Sequence, residues 1–423
     1  MFKYLFSLLF LSIFLLQTTF SQSIEEKVYK EGIRTVQVQL KGDSLAPPIM
    51  QLNTGQKIKL SFDDLNSDYA SYSYKVIHCD ASWNPSGLYE SEYLKNQFSA
   101  SLDQSKNSFN TLTPYRHYWV TIPNENIKPK ISGNYAILVY ENYNEQDTVL
   151  TAHFRINEGK LSVGATMERI NRMSPEKPNQ KINIQLHTEG IRVNNPYNNL
   201  KIVIQQNGHK ERLIKNANPS GMSGNKITYS NLPELNFKGG NEFHHFNTKS
   251  KKFSGKNIEK INFFRNHLHF KLKKDKIRQF TGYKLKKDLN GKFLVDKEMS
   301  TNPETESDYV YVYFSLKDPS PNMNGKLYVI GGFNNWKCMP ENAMEYNFKE
   351  KSYENRLLLK QGYYDYKYVL KEKTGLKPCF VSGNYFQTEN NYTIFVYYRG
   401  YGDDYDRLIG YTIFNSMKDQ YAD

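Results

Sequence analysis

Three cysteines in 423 residues exclude a disulfide scaffold and an array of zinc ribbons. Helical periodicity is scarce: only residues 24–31 and 90–98 show room for a turn or two. No GxSxG, HExxH or P-loop pattern occurs, and no GxGxxG lies between a strand and a helix, so the common hydrolase, zinc-protease and nucleotide-binding signatures are missing. Past the first 21 residues no apolar run is long enough to span a bilayer as a helix. Tryptophan is also sparse, with three residues, against 33 tyrosines and 25 phenylalanines. Any core is therefore aromatic.

What is present is β-patterning. The segments 72–77, 135–140, 200–205, 308–316, 363–370 and 391–398 alternate with period two and are rich in Tyr, Val, Ile and Phe. In 308–316, Val310, Val312, Phe314 and Leu316 share one face, and Tyr309, Tyr311 and Tyr313 the other. Asn-Gly and Ser-Gly-Asn turn signals separate the runs. Short strands with frequent turns predict an all-β chain: three antiparallel β-sandwiches of immunoglobulin-like or early-set type, in series. The expected boundaries are 22–157, 158–300 and 301–423, with 299–307 (MSTNPETES) as a polar linker.

Residues 1–21 have a basic start at Lys3, an apolar stretch from Leu5 to Leu16 and small residues Thr19 and Ser21 before Gln22. This layout predicts a cleaved secretory signal peptide and a protein that works outside the cytoplasm, with no nucleic-acid partner. The net charge of +13 is concentrated. Between Lys251 and Lys287 thirteen Lys and Arg, including Lys271, Lys273, Lys274, Lys276 and Arg278, face two acidic residues, Glu259 and Asp275. Two readings stay open: a solvated face, or a basic surface for an acidic protein rim or anionic lipid headgroups.

Chemistry-bearing clusters are few. His244, His245, His267 and His269 are the nearest approach to a metal set, but adjacent His244 and His245 would face opposite sides of a strand; no metal or cofactor is expected. Asp63-Asp64 and the Asp403–Asp406 group read as acidic turns. Cys338 and Cys379 form a candidate disulfide whose geometry the sequence leaves open. No catalytic residue and no small-molecule substrate are expected.

Two resemblances add to this. Residues 326–336 (KLYVIGGFNNW) followed by 363–369 (YYDYKYV) resemble the early-set sandwich of glycogen-binding modules, which implies Trp336 as a sugar-stacking ring and Lys367 as its hydrogen-bonding partner. The second stacking Trp of such modules is absent, since 371–378 read KEKTGLKP, and packing is the favoured role for Trp336.

The second resemblance spans the mature chain. Its landmarks are Phe62–Leu65, YKVIHCDASW at 74–83, Tyr115–Tyr118, Ser132–Tyr135, Gln205–Asn207, Leu232–Phe243, Gly383–Tyr392, Tyr397–Arg399 and Tyr405–Gly410. Together they resemble the plug-protein family of the Bacteroidetes type IX secretion system. The resemblance implies a non-catalytic periplasmic gate that closes the outer-membrane translocon barrel and is held at the outer membrane by that protein partner. It gives as candidate partner-binding residues Asp63, Asp64, His78, Trp83, Gly240, Asn241, Glu242, Tyr385, Thr388, Glu389, Tyr398, Asp406 and Arg407. An envelope glycan-binding protein using Trp336 and Lys367 is the alternative.

Overall fold

Alternating sequence becomes paired sheet throughout the computed structural model, which describes residues 22–66, 70–168, 179–208, 211–215, 217–318 and 324–419. The signal-peptide segment 1–21 and most of the loop 174–180 lie outside the described residues. Each of the six segments singled out for alternation is a strand: Tyr72–Cys79, Gly133–Glu141, Leu200–Gln206, Tyr309–Lys317, Gly362–Glu372 and Asn391–Tyr398. Among the described residues helix is confined to single turns, one of them Glu90–Tyr93 inside the expected 90–98 segment. The expected turn over 24–31 is instead the short strand Lys27–Val28, whose pairing with Leu150 and Thr151 outweighs local preference.

Facing sheets enclose three main hydrophobic clusters. The first is closed between a sheet containing Tyr72–Cys79, Gly133–Glu141 and Thr148–Asn157 and one containing Ile33–Leu40, Ile58–Asp64 and Arg116–Ile122. Its core is aromatic as the composition requires, with Phe62 stacked on Tyr118 at 5.4 Å and Tyr72 edge-on to both.

The sheets are not filled in chain order. Leu200–Gln206 pairs with Asn391–Tyr398, which pairs with Arg407–Asn415. These C-terminal strands, expected in a third unit, complete the middle sandwich and face Asn179–His187 and Lys226–Tyr229 across the second cluster. The third cluster lies between sheets drawn from 244–377, inserted between the two halves of the middle one. A cut at residue 300 therefore divides the sheets that the hydrogen bonding unites. The reason is the apolar face of the last strands: Ile394, Val396 and Tyr398 lie beside Ile204, Ile202 and Leu200 in one sheet and face the second cluster with them.

The expected linker also departs from expectation. Pro303–Glu306 forms one helical turn, and Thr305, Ser307 and Asp308 are buried, although Met299 is fully exposed. Polar residues are covered here because they make the contacts between sandwiches.

Candidate functional site

The landmark residues lie where the sandwiches meet, and most are buried. Three junctions are built from them.

The first junction joins the N-terminal and inserted sandwiches. Asp63 is the last residue but one of the strand Ile58–Asp64 and is fully buried. Its Oδ2 accepts hydrogen bonds from Tyr309 Oη at 2.7 Å and Lys360 Nζ at 2.5 Å, and its Oδ1 lies 2.7 Å from His117 Nδ1. Burial lowers the Lys360 ammonium, and Asp63 beside it opposes that shift. The same ammonium donates to the Glu304 carbonyl and sits 4.2 Å from the centre of the Tyr115 ring. Asp308 caps the loop of the first sandwich, accepting from the Leu112 and Thr113 amides and from Lys251. Asp64 turns inward and accepts from Tyr72 Oη at 2.8 Å.

The second junction joins the N-terminal and middle sandwiches. Asp406 accepts from the Ala81 amide at 3.0 Å and holds Lys201 at 2.7 Å through both oxygens. Arg407 binds Glu158 in a bidentate pair at 2.9 and 2.7 Å, which holds the Glu158 carboxyl down at about 2 despite its burial. Trp83 stacks on His153 with centroids 3.6 Å apart, and the Arg155 guanidinium lies over Trp83 on one side and Phe395 on the other. Around them, Ile49, Ala81, Val203, Phe395, Tyr397 and Leu408 form a separate apolar cluster, so the central sheet of the middle sandwich is covered on both faces. His78 is buried against the Ser132 carbonyl at 3.0 Å, and burial lowers its imidazole to about 4. Gly133 beside it is required: at φ +129 a Cβ would lie 2.5 Å from His78 Nε2.

The third junction is the double crossing between the middle and inserted sandwiches. Gly240, in a left-handed turn at φ +71, donates its amide to Asn384 Oδ1, and its carbonyl accepts from the Tyr385 amide and Thr388 Oγ1. Asn241 donates to the Ser382 carbonyl. Glu242 Oε1 accepts from Tyr283 Oη and the Glu389 amide, and burial raises its carboxyl to about 7. Glu389 in turn accepts from Asn415 at 2.9 Å. Tyr385 Oη donates to the Arg278 carbonyl at 3.2 Å. Tyr398 lies away from this junction, within the middle sandwich, where its Oη accepts weakly from the Asn194 amide at 3.4 Å. Sequence reasoning missed the partners that complete these junctions: Tyr309, Lys360, Arg155, Glu158 and Lys201.

The remaining candidates fall elsewhere. Lys271, Lys273, Lys274 and Lys276 are exposed; Lys271 pairs with Glu259 at 3.2 Å and Lys274 with Glu350 at 2.6 Å. Arg278 is not part of that surface. Its guanidinium turns inward to donate to the Glu242 carbonyl at 2.7 Å. Trp336 and Lys367 face each other, with the ammonium 5.1 Å from the ring centre and burial lowering it to about 8. The Trp336 ring also packs on Phe243 and Gly291, so the two residues are spent on packing. Cys338 and Cys379 are both free thiols, in separate surroundings beside Lys371 and beside Lys238 and Lys367. His244 and His269 are engaged locally, by Asp275 and by Tyr313.

The fold and these contacts define an all-β protein of antiparallel sandwiches fastened to one another through buried polar residues. Comparison with known proteins gives the family. Residues 33–158, which coincide with the first sandwich, match the first domain of the type 9 secretion system plug protein. A crystal structure of a hypothetical protein from Parabacteroides merdae ATCC 43184 is 31% identical and superposes with a TM-score of 0.88, covering 93% of this chain and 100% of its own. A Pseudomonas fluorescens alkylpurine DNA glycosylase bound to DNA reaches a TM-score of 0.17 at 14% identity over 29% of each chain, too slight a likeness to carry an argument. No curated protein matches. The chain belongs to the type 9 secretion system plug protein family.

Proposed function

We propose that this chain is a non-catalytic periplasmic gate that closes the outer-membrane translocon barrel of a type IX secretion system. It reaches the periplasm by a cleaved leader and is held at the outer membrane by that barrel. The observation that carries the reading is the plug-domain match over 33–158, in a body whose sandwiches are locked together at three buried junctions. A stopper for a wide opening has to resist bending, and cross-linked sandwiches do so because no pair can swing without exposing a buried charge. Since the landmark residues are engaged internally, docking falls to the outer skin. Exposed Tyr89, Phe98 and Tyr143 on the first sandwich suit it, as large side chains that bury area at low entropic cost. The surface lysines at 271–276 offer an auxiliary contact with an acidic rim or with anionic headgroups.

The test is purification of the tagged chain from native envelopes. Recovery with a very large outer-membrane barrel is expected; repeated recovery of the chain alone contradicts the proposal.

A further inference from the structure

The strand Ile258–Phe264 is the open edge of its sheet. It pairs on one side with His267–Leu272, and among the described residues no strand covers its other side. Five of its seven residues are exposed, including Phe263 at 61% and Phe264 at 58%. An edge of this length, with unpaired backbone donors and acceptors and two adjacent bare aromatics, is a template for another strand.

Charge decides what kind of strand. Lys256, Lys260 and Arg265 are exposed on or beside the edge and, among the described residues, have no acidic partner, whereas the one acid of the strand, Glu259, is engaged by Lys271. A second copy of this chain would bring lysine against lysine, and like charges directly opposite are destabilising. An acidic strand meets the opposite sign. Asn262 and Phe264 also border a groove of ≈ 990 Å³ that runs over the outer face of the sheet past His269, Tyr313 and Arg356 to Tyr346. Outward side chains of an added strand would enter it beside His269, Lys271 and Tyr313, which suit acidic residues alternating with aromatic ones; the groove's two acids, Glu345 and Glu354, lie on the two strands of the sheet farthest from this edge.

We infer that the strand Ile258–Phe264 is a docking edge for an extended, acidic and aromatic segment of a partner polypeptide, which adds to the sheet as a further strand. This stands apart from the gate reading and holds or fails without it.

The probe is a synthetic peptide of alternating Glu and Tyr, long enough to span the strand, with a twin N-methylated at every second residue. The twin keeps the charge and the rings but cannot complete the ladder. Binding to the full chain is followed by fluorescence anisotropy, with hydrogen exchange read by residue. The expected result is binding that slows exchange over Ile258–Phe264, with the twin and the Phe263→Ser/Phe264→Ser variant each at least about tenfold weaker. Failure to bind, equal binding of the twin, or protection of this strand by phosphatidylglycerol vesicles but not by the peptide would overturn the inference.

Discussion

Asp63 and Lys360 stand 297 positions apart in the chain and each side chain is 1% exposed. Removing one partner strands a charge in a dry site. Lys360→Met should therefore destabilise the chain by about 3–5 kcal/mol, while Asp63→Asn with Lys360→Met should cost less than Lys360→Met alone, as measured by equilibrium denaturation. Other buried acids carry the opposite cost. Burial raises Asp365 to about 8 and Glu242 to about 7. A carboxyl whose folded pKa exceeds its unfolded value binds more protons when folded, so its contribution is present at low pH and lost as pH rises through the folded value. Burial lowers the His78 and His245 imidazoles to about 4, and that contribution is complete above their ordinary 6.5 and lost below it. Thermal stability should thus fall from pH 6.5 to 8, and Glu242→Gln should shallow that fall. An equal slope in the variant would exclude Glu242 as a source.

Among the elements, the strands that close the middle sandwich come from the end of the chain. Truncation after Gly402 removes Ile409 and Phe414 from the second cluster, together with Leu408, Asp406 and Arg407 from the second junction. The segment 161–238 should then become cleavable in limited proteolysis while 33–157 stays resistant, because the first cluster draws on residues within 33–156. Much at this scale was legible beforehand. Val310, Val312, Phe314 and Leu316 alternate in the sequence and face the third cluster in the structure. Which strand they pair with was not legible, because period-two alternation states a face and not a partner. The same limit hid the outward Tyr309, which reads as a surface residue and is buried by a sandwich 246 positions away. Asp63, Asp406 and Glu242 were likewise visible as landmarks but not as fasteners, since each depends on partners more than 140 residues distant.

For the whole molecule, the three junctions act together. Asp406→Ala with Arg407→Ala should free Lys201 and Glu158 and loosen the N-terminal sandwich from the middle one; faster hydrogen exchange at Ala81 and Glu158, with the first cluster unaffected, is the expected signature. Rigidity of this kind matters to a gate only if an opening exists behind it. The most direct measurement is entry of a fluorescent dextran into the periplasm of cells that lack this chain but retain the translocon. Dextran should enter those cells and be excluded again when the chain is restored. Exclusion that is equally complete without the chain would contradict a gate.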